Sequence, residues 1–236
     1  MKLASIVPMK NVARTFDGDY AMLLTHLADY YPTTHHKNCY VIMDNSLIEL
    51  GSAASIEATF NAAVKCNADE LILPDVFRDG FATLEKVHDS IDWLLYDCKN
   101  FRRINLMAVC QGSTASEFAT CFVELCHIPE IHCIGIPKVA ATLLPEGRPG
   151  FEYLWYNCSK QIHLLGCWTS LDEMKQYKHP ELIRSCDTCI PALLSTHGIY
   201  DVWAKRPDKT IDLVNDQIDT FVYEELLEQL REERLL

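Results

Sequence analysis

LILPDVFRDGFATLEKVHDSIDWLLYDCKNFRRINLMAVCQG, residues 71–112, holds one whole structural repeat. The apolar run LILP (71–74) stops at Asp75. Phe81, Leu84, Val87, Ile91 and Leu94 then recur in steps of three and four, the spacing of one buried helical stripe. A second apolar run, LMAVC (106–110), stops at Gln111. The unit reads as strand, loop, covering helix, strand. Working outward, YVIM (40–43) stops at Asp44, IHCI (131–134) at Gly135, IHLL (162–165) at Gly166 and IRSC (183–186) at Asp187. Alternating strands and helices argue for an α/β fold with a parallel sheet covered on its faces. Strand ends at such spacing predict a single (β/α)8 TIM-like barrel over residues 1–236, whose strand-end residues meet on one rim. An open doubly wound sheet is the alternative, but the chain has no GxGxxG fingerprint.

The other elements are read the same way. Strands are expected at Leu3–Val7, Tyr40–Met43, Glu70–Leu73, Asn105–Cys110, His132–Ile136, Ile162–Leu165 and Ile183–Asp187. The segment Tyr20–Tyr31 reads as an amphipathic stretch, with Met22, Leu23 and Leu27 on one side. Ser55 is expected to cap a helix with Ile56, Phe60, Ala63 and Val64 on one face. Thr114-x-x-Glu117 and Ser170-x-x-Glu173 have the capping-box pattern. Pro145–Gly150 reads as a loop, and an irregular helix is expected over Phe151–Ser159. A long final helix is expected from about Ile211, with Leu213, Ile218, Phe221, Leu226 and Leu230 inward. The eighth strand has one candidate, Ile199–Trp203.

Composition narrows the partners. The chain has 236 residues and a formal net charge of −12, which disfavours nonspecific attraction to nucleic acid or anionic membrane. Local exceptions are Lys205, Arg206 and Lys209, candidate contacts to a nucleic-acid backbone, and a second cluster of Lys99, Arg102 and Arg103. Eleven cysteines are an odd count, and several lie in apolar runs, where a thiol behaves as a small hydrophobe. Met1-Lys2 leads straight into LASIVP, too short for a signal-peptide core. A cytoplasmic protein with reduced thiols is therefore expected. No apolar stretch approaches the ~20 residues needed to span a bilayer, so no membrane partner is expected. His35-His36 lacks a matching carboxylate motif and reads as a loop.

Asp187 is the leading candidate for chemistry. A carboxylate at a strand end is aimed, partly desolvated and held on a rigid element, as a nucleophile requires. A turn acid is the plain alternative. Asp44, in MDNSLIELG, would divide the labour as a proton carrier; an Asx-turn with Asn45 or Ser46 is its alternative. Asn45 and Glu49 in the same loop are candidate substrate contacts. Asp75 and Gln111 can accept and donate along the polar edge of a purine-like base. Gly135 and Gly166 would let backbone approach a flat ligand. Cys186-x-x-Cys189 has redox spacing but no second cysteine pair to complete a zinc site.

In order along the chain, MDNSLIELG, LPDVF, AVCQGS, IGIPK, HLLGC and SCDTCIP resemble the motifs of the tRNA-guanine transglycosylase (queuine/archaeosine tRNA-ribosyltransferase) superfamily. The resemblance spans about residues 40–191 and is nearest to the short phage-type 7-deazaguanine DNA transglycosylases. It implies that Asp187 attacks the anomeric carbon of a guanosine and that Asp44 manages protons. It further implies that Asp75, Gln111 and the Gly135 backbone bind the base, that Leu165 and Gly166 flank its plane, and that a 7-deazaguanine captures the sugar. Two departures stand out. The tRNA enzymes carry a zinc-binding cysteine set after the nucleophile, whereas Ser195–Leu236 contains no cysteine; neither metal nor cofactor is expected. Where they carry Gly-Gly and a stacking aromatic, this chain reads Asn45-Ser46-Leu47-Ile48, leaving Phe77 or Trp168 to stack. DNA is thus the expected polymer and tRNA the alternative. A nucleobase-binding subunit that acts with a protein partner, or as a homo-oligomer, is a third reading. An extruded or single-stranded target base would be required.

Overall fold

The computed structural model describes residues 1–32, 39–98, 104–167 and 169–234. Eight parallel strands close into one barrel in sequence order. They are β1 (Lys2–Ser5), β2 (Tyr20–Leu24), β3 (Tyr40–Asp44), β4 (Glu70–Ile72), β5 (Asn105–Val109), β6 (Ile131–Pro137), β7 (Gln161–Leu165) and β8 (Ile183–Thr188). β8 pairs back onto β1, with Lys2 opposite Ser185 and Ser5 opposite Thr188. The α-helices are α1 (Leu47–Leu50), α2 (Ile56–Lys65), α3 (Gly80–Asp97), α4 (Ala115–His127), α5 (Glu152–Trp155), α6 (Ile190–Thr196) and α7 (Thr220–Glu232).

Two apolar layers follow from the alternation of side chains along each strand. Ala4, Met22, Ile42, Ile72, Met107, Val109 and Cys133 fill the barrel interior. Their neighbours Leu3, Leu23, Val41, Met43, Leu71 and Leu106 face outward and pack beneath the helices. Each such fully buried Leu or Met contributes roughly 1.5–3 kcal/mol relative to exposure. The stripe on α3 buries Val87, Ile91 and Leu94, whereas Phe81 is 68% exposed. On α4 it buries Phe118, Cys121, Phe122 and Leu125.

Several expectations are corrected. The strand missing from the sequence reading is β2, inside the supposed amphipathic stretch Tyr20–Tyr31. Its residues are apolar on both faces, so neither period dominates; Met22 points into the barrel and Leu23 out. Ile199–Trp203 is not a strand. The final helix starts at Thr220, where Asp219 accepts from the Phe221 and Val222 amides. Leu213 lies before it, its carbonyl taking the Met9 amide at 2.7 Å, and Phe221 is exposed. Val64 also faces solvent. The Thr114 hydroxyl caps α4 as expected, but the Glu117 carboxylate turns to the Gly80 amide at 2.7 Å and to Ser113 instead of closing the box. Cys126 and Cys158 form a disulfide across 32 residues, their Cα atoms 5.8 Å apart, so not every thiol is free. The helix α4 ends where the turn after α5 passes, which brings the two within bridging distance. Lys99, Arg102, Arg103, His35, His36 and Trp168 lie outside the described residues.

Candidate functional site

The C-terminal ends of the strands surround a cavity of about 340 Å³, a size within the range that small-molecule sites occupy. Asp44, Asn45, Glu49, Asp75, Gln111, Leu165, Gly166, Asp187 and Arg206 all line it. Met22, Val109 and Leu165 form its apolar floor, and Phe77, 49% exposed, stands at its mouth.

Asp44 ends β3 and is half-buried. Its Oδ2 accepts the Ser46 amide at 2.8 Å, and Ser46 takes a left-handed φ of 60°. That conformation is costly for a residue with a Cβ and is held by the carboxylate and by the burial of Ser46. Burial pushes the Asp44 carboxyl well above the usual carboxylate range. Glu49, Asp187 and Asp75 add repulsion, and the Ser46 amide opposes the shift.

Asp75 and Gln111 follow β4 and β5. Asp75 Oδ2 accepts from Gln111 Nε2 at 2.6 Å, and Oδ1 accepts from Asn45 Nδ2 at 2.7 Å. Gln111 Oε1 takes the Arg78 amide at 3.0 Å, and Asn45 Oδ1 takes the Leu47 amide at 3.0 Å. The three side chains therefore orient one another. Burial raises the Asp75 carboxyl, and the two amide donors hold it back. The Asp75 carboxylate, which also accepts its own backbone amide, keeps further acceptor capacity, and Gln111 Nε2 keeps a second hydrogen, so the array can still read a ligand edge.

Asp187 lies near the end of β8. Its Oδ1 accepts from His163 Nε2 at 3.0 Å and from the Gly166 amide at 3.2 Å. Gly166 has φ +62°, a backbone conformation that favours glycine. Arg148 pins that turn from behind. The fully buried guanidinium donates to the carbonyls of Ile136 (3.0 Å), Leu165 (3.1 Å) and Gly166 (2.6 Å) and pairs with Glu173 at 2.6 Å.

Gly135 stands apart from the cavity lining. Its carbonyl accepts the Cys110 amide at 2.9 Å. Its lack of a side chain serves packing: a Cβ would meet Leu165 Cδ1 at 3.0 Å and Met107 Sδ at 3.3 Å. Lys205 and Lys209 line an open groove beside the mouth, together with Lys138, Arg206 and Asp208. Lys138 and Arg206 line both spaces. None of these four cations forms a salt bridge among the described residues. Cys186 and Cys189 do not face each other; Cys186 Sγ lies 3.5 Å from Cys167 Sγ, whereas Cys189 lines the cavity. Among the described residues no group of three or more His, Cys, Asp or Glu side chains could hold a metal ion, and no helix is long and apolar enough to cross a membrane.

The sequence reading passed over His163, Arg148, Lys138 and Glu173 as site-shaping residues. His163 carried a signal: it alternates with Leu165 on an inward strand face. Arg148 carried none, because its partners lie on other segments. Glu173 reads locally as a cap residue, but it is drawn inward by Arg148. Compared with protein-family models and with curated proteins, the chain matches none.

Proposed function

We propose that this chain is a pentosyltransferase that exchanges guanine for a 7-deazaguanine in DNA through a covalent aspartyl-sugar intermediate. The reading rests on one observation: Asp44 and Asp187, from β3 and β8, share one cavity with the Asp75–Gln111–Asn45 array. Guanine presents O6 as an acceptor and N1–H and N2–H as donors. The free Gln111 N–H suits the first, and the remaining Asp75 lone pairs suit the others. A 7-deazaguanine presents the same edge.

With the base so held, Asp187 Oδ2 attacks C1′ as the C1′–N9 bond breaks. The departing base takes the bonding pair and then the proton that the raised Asp44 carboxyl retains. The incoming 7-deazaguanine gives its N9 proton to Asp44. N9 then bonds C1′, and the ester oxygen leaves as the Asp187 carboxylate. The two-carboxylate logic is that of retaining glycoside hydrolysis. The cation groove supports a polymer over a free nucleoside, since Lys138, Lys205, Arg206 and Lys209 can take backbone phosphates in a chain that is otherwise acidic.

Labelled-guanine exchange on DNA and on tRNA, with mass spectrometry of nucleosides from a host making 7-deazaguanine precursors, tests the proposal. Label should enter DNA, and a 7-deazaguanine nucleoside should appear there. Exchange confined to tRNA would overturn the choice of polymer, and full exchange by Asp187→Ala would overturn the mechanism.

A further inference from the structure

We infer that His163 is a positioning residue for Asp187, the last link of a hydrogen-bond relay that leaves one oxygen of that carboxylate free to attack. The inference rests on the proposed role of Asp187. His163 is 0% exposed and does not line the cavity, so it acts through the aspartate and not on a ligand.

The relay starts at the floor of the barrel. Arg184 Nη1 is held by Glu70 at 2.7 Å and by Gln161 at 3.0 Å. Arg184 Nε lies 3.1 Å from Ser185 Oγ, and Ser185 Oγ lies 2.8 Å from His163 Nδ1. The guanidinium can only donate, so the Ser185 oxygen accepts there; the Asp187 carboxylate at Nε2 can only accept, so the hydrogen of a neutral ring lies on Nε2 and the Ser185 hydrogen goes to Nδ1. Nε2 then donates to Asp187 Oδ1 at 3.0 Å. The Gly166 amide reaches the same oxygen at 3.2 Å. Among the described residues no hydrogen bond goes to Oδ2. The carboxylate is thus tethered by one oxygen, and the other is left for the cavity.

A bulge makes the relay possible. Ile162 pairs with Ile183 but His163 pairs with Ser185, leaving Arg184 as an extra residue on β8. Arg184 meets Tyr20, Tyr40 and Glu70 inside the barrel, and the parity change after it turns Ser185 and Asp187 inward as well. Were Ile183–Thr188 to alternate regularly from the outward Ile183, Cys186 would face the cavity and Asp187 the helices. A neutral donor also suits the reaction better than an imidazolium. An imidazolium would form an ion pair with the free carboxylate that is lost when Asp187 becomes an ester.

Two measurements test the inference. In the whole wild-type protein, nitrogen NMR of the His163 ring should show the hydrogen on Nε2, and Ser185→Ala should shift the Nδ1 resonance. In guanine release from DNA, His163→Phe should lower kcat by about 10- to 100-fold, the loss of one hydrogen bond to a charged group, with KM for DNA unchanged. His163→Gln, which can place an amide donor near the same point, should recover most of that loss. A hydrogen on Nδ1 in the wild type overturns the relay regardless of activity. So does an unchanged kcat in His163→Phe while Asp187→Ala is inactive. Full exchange by Asp187→Ala would instead overturn the base-exchange reading and leave the ring tautomer to decide the relay.

Discussion

Asp44 sits where a carboxylate is costly to ionise: it is desolvated and faces Glu49, Asp187 and Asp75, against one compensating amide. Its folded form keeps a proton that the unfolded chain has already released. Stability therefore falls as pH rises from the ordinary carboxylate range toward the raised folded value. Asp44→Asn keeps an acceptor for the Ser46 amide and removes the penalty. Its thermal midpoint should exceed the wild type's by more at about pH 8 than at about pH 4, measured by calorimetry, while exchange is lost because the amide cannot carry the proton. An equal difference at both pH values would show that Asp44 is not held protonated. At this scale much of the site was legible. Asp44, Asp75, Gln111 and Asp187 announce themselves as polar ends of apolar runs, and the barrel gathers such ends. Gly135 reads as a strand-end glycine in sequence, but β6 runs on to Pro137, and Leu165 from the next strand packs against the space a Cβ would take.

The elements were legible where one period dominates and obscure where both faces are buried. The helix α3 carries its stripe in its own sequence, and Asp79 caps it by accepting the Ala82 amide. The strand β2 does not, because it is sandwiched between the interior and the outer layer. The turn after β7 is positioned by a side chain from a distant loop, Arg148, and no local pattern encodes that. Arg148→Met should cost about 3–5 kcal/mol in urea unfolding, because it takes the guanidinium from the buried Glu173 carboxylate and from three backbone carbonyls. Adding Glu173→Leu should return much of that stability. Exchange should stay impaired in the double variant, because the carbonyls of Leu165 and Gly166 lose their donor and the Gly166 amide loses its aim at Asp187. Full recovery of both properties would reduce Arg148 to a packing residue.

Across the whole molecule, barrel closure is what converts residues 143 positions apart into neighbours of one cavity. β8 returns to β1, and the C-terminal α7 seals that seam: Tyr223 Oη lies 2.9 Å from Ser5 Oγ, with Leu226, Leu227 and Leu230 buried beneath. The same closure puts Lys138, Lys205, Arg206 and Lys209 beside the mouth, and not scattered over an acidic surface. Seven of the eight strands followed from the apolar runs, and the eighth was expected at Ile199–Trp203, at the wrong end of the chain. Which strand was missing, and the bulge that aims Asp187, depend on pairing across the sheet and have no signature along the chain. The central claim is that Asp187 becomes covalently joined to the sugar of a guanine nucleotide. Intact-protein mass spectrometry after mixing with a short guanine-containing single DNA strand measures it directly. The account predicts a protein–DNA adduct lacking one guanine, mapped to Asp187 and absent in Asp187→Ala; an adduct that persists in Asp187→Ala, or guanine release without any adduct on Asp187 after rapid quenching, would contradict it.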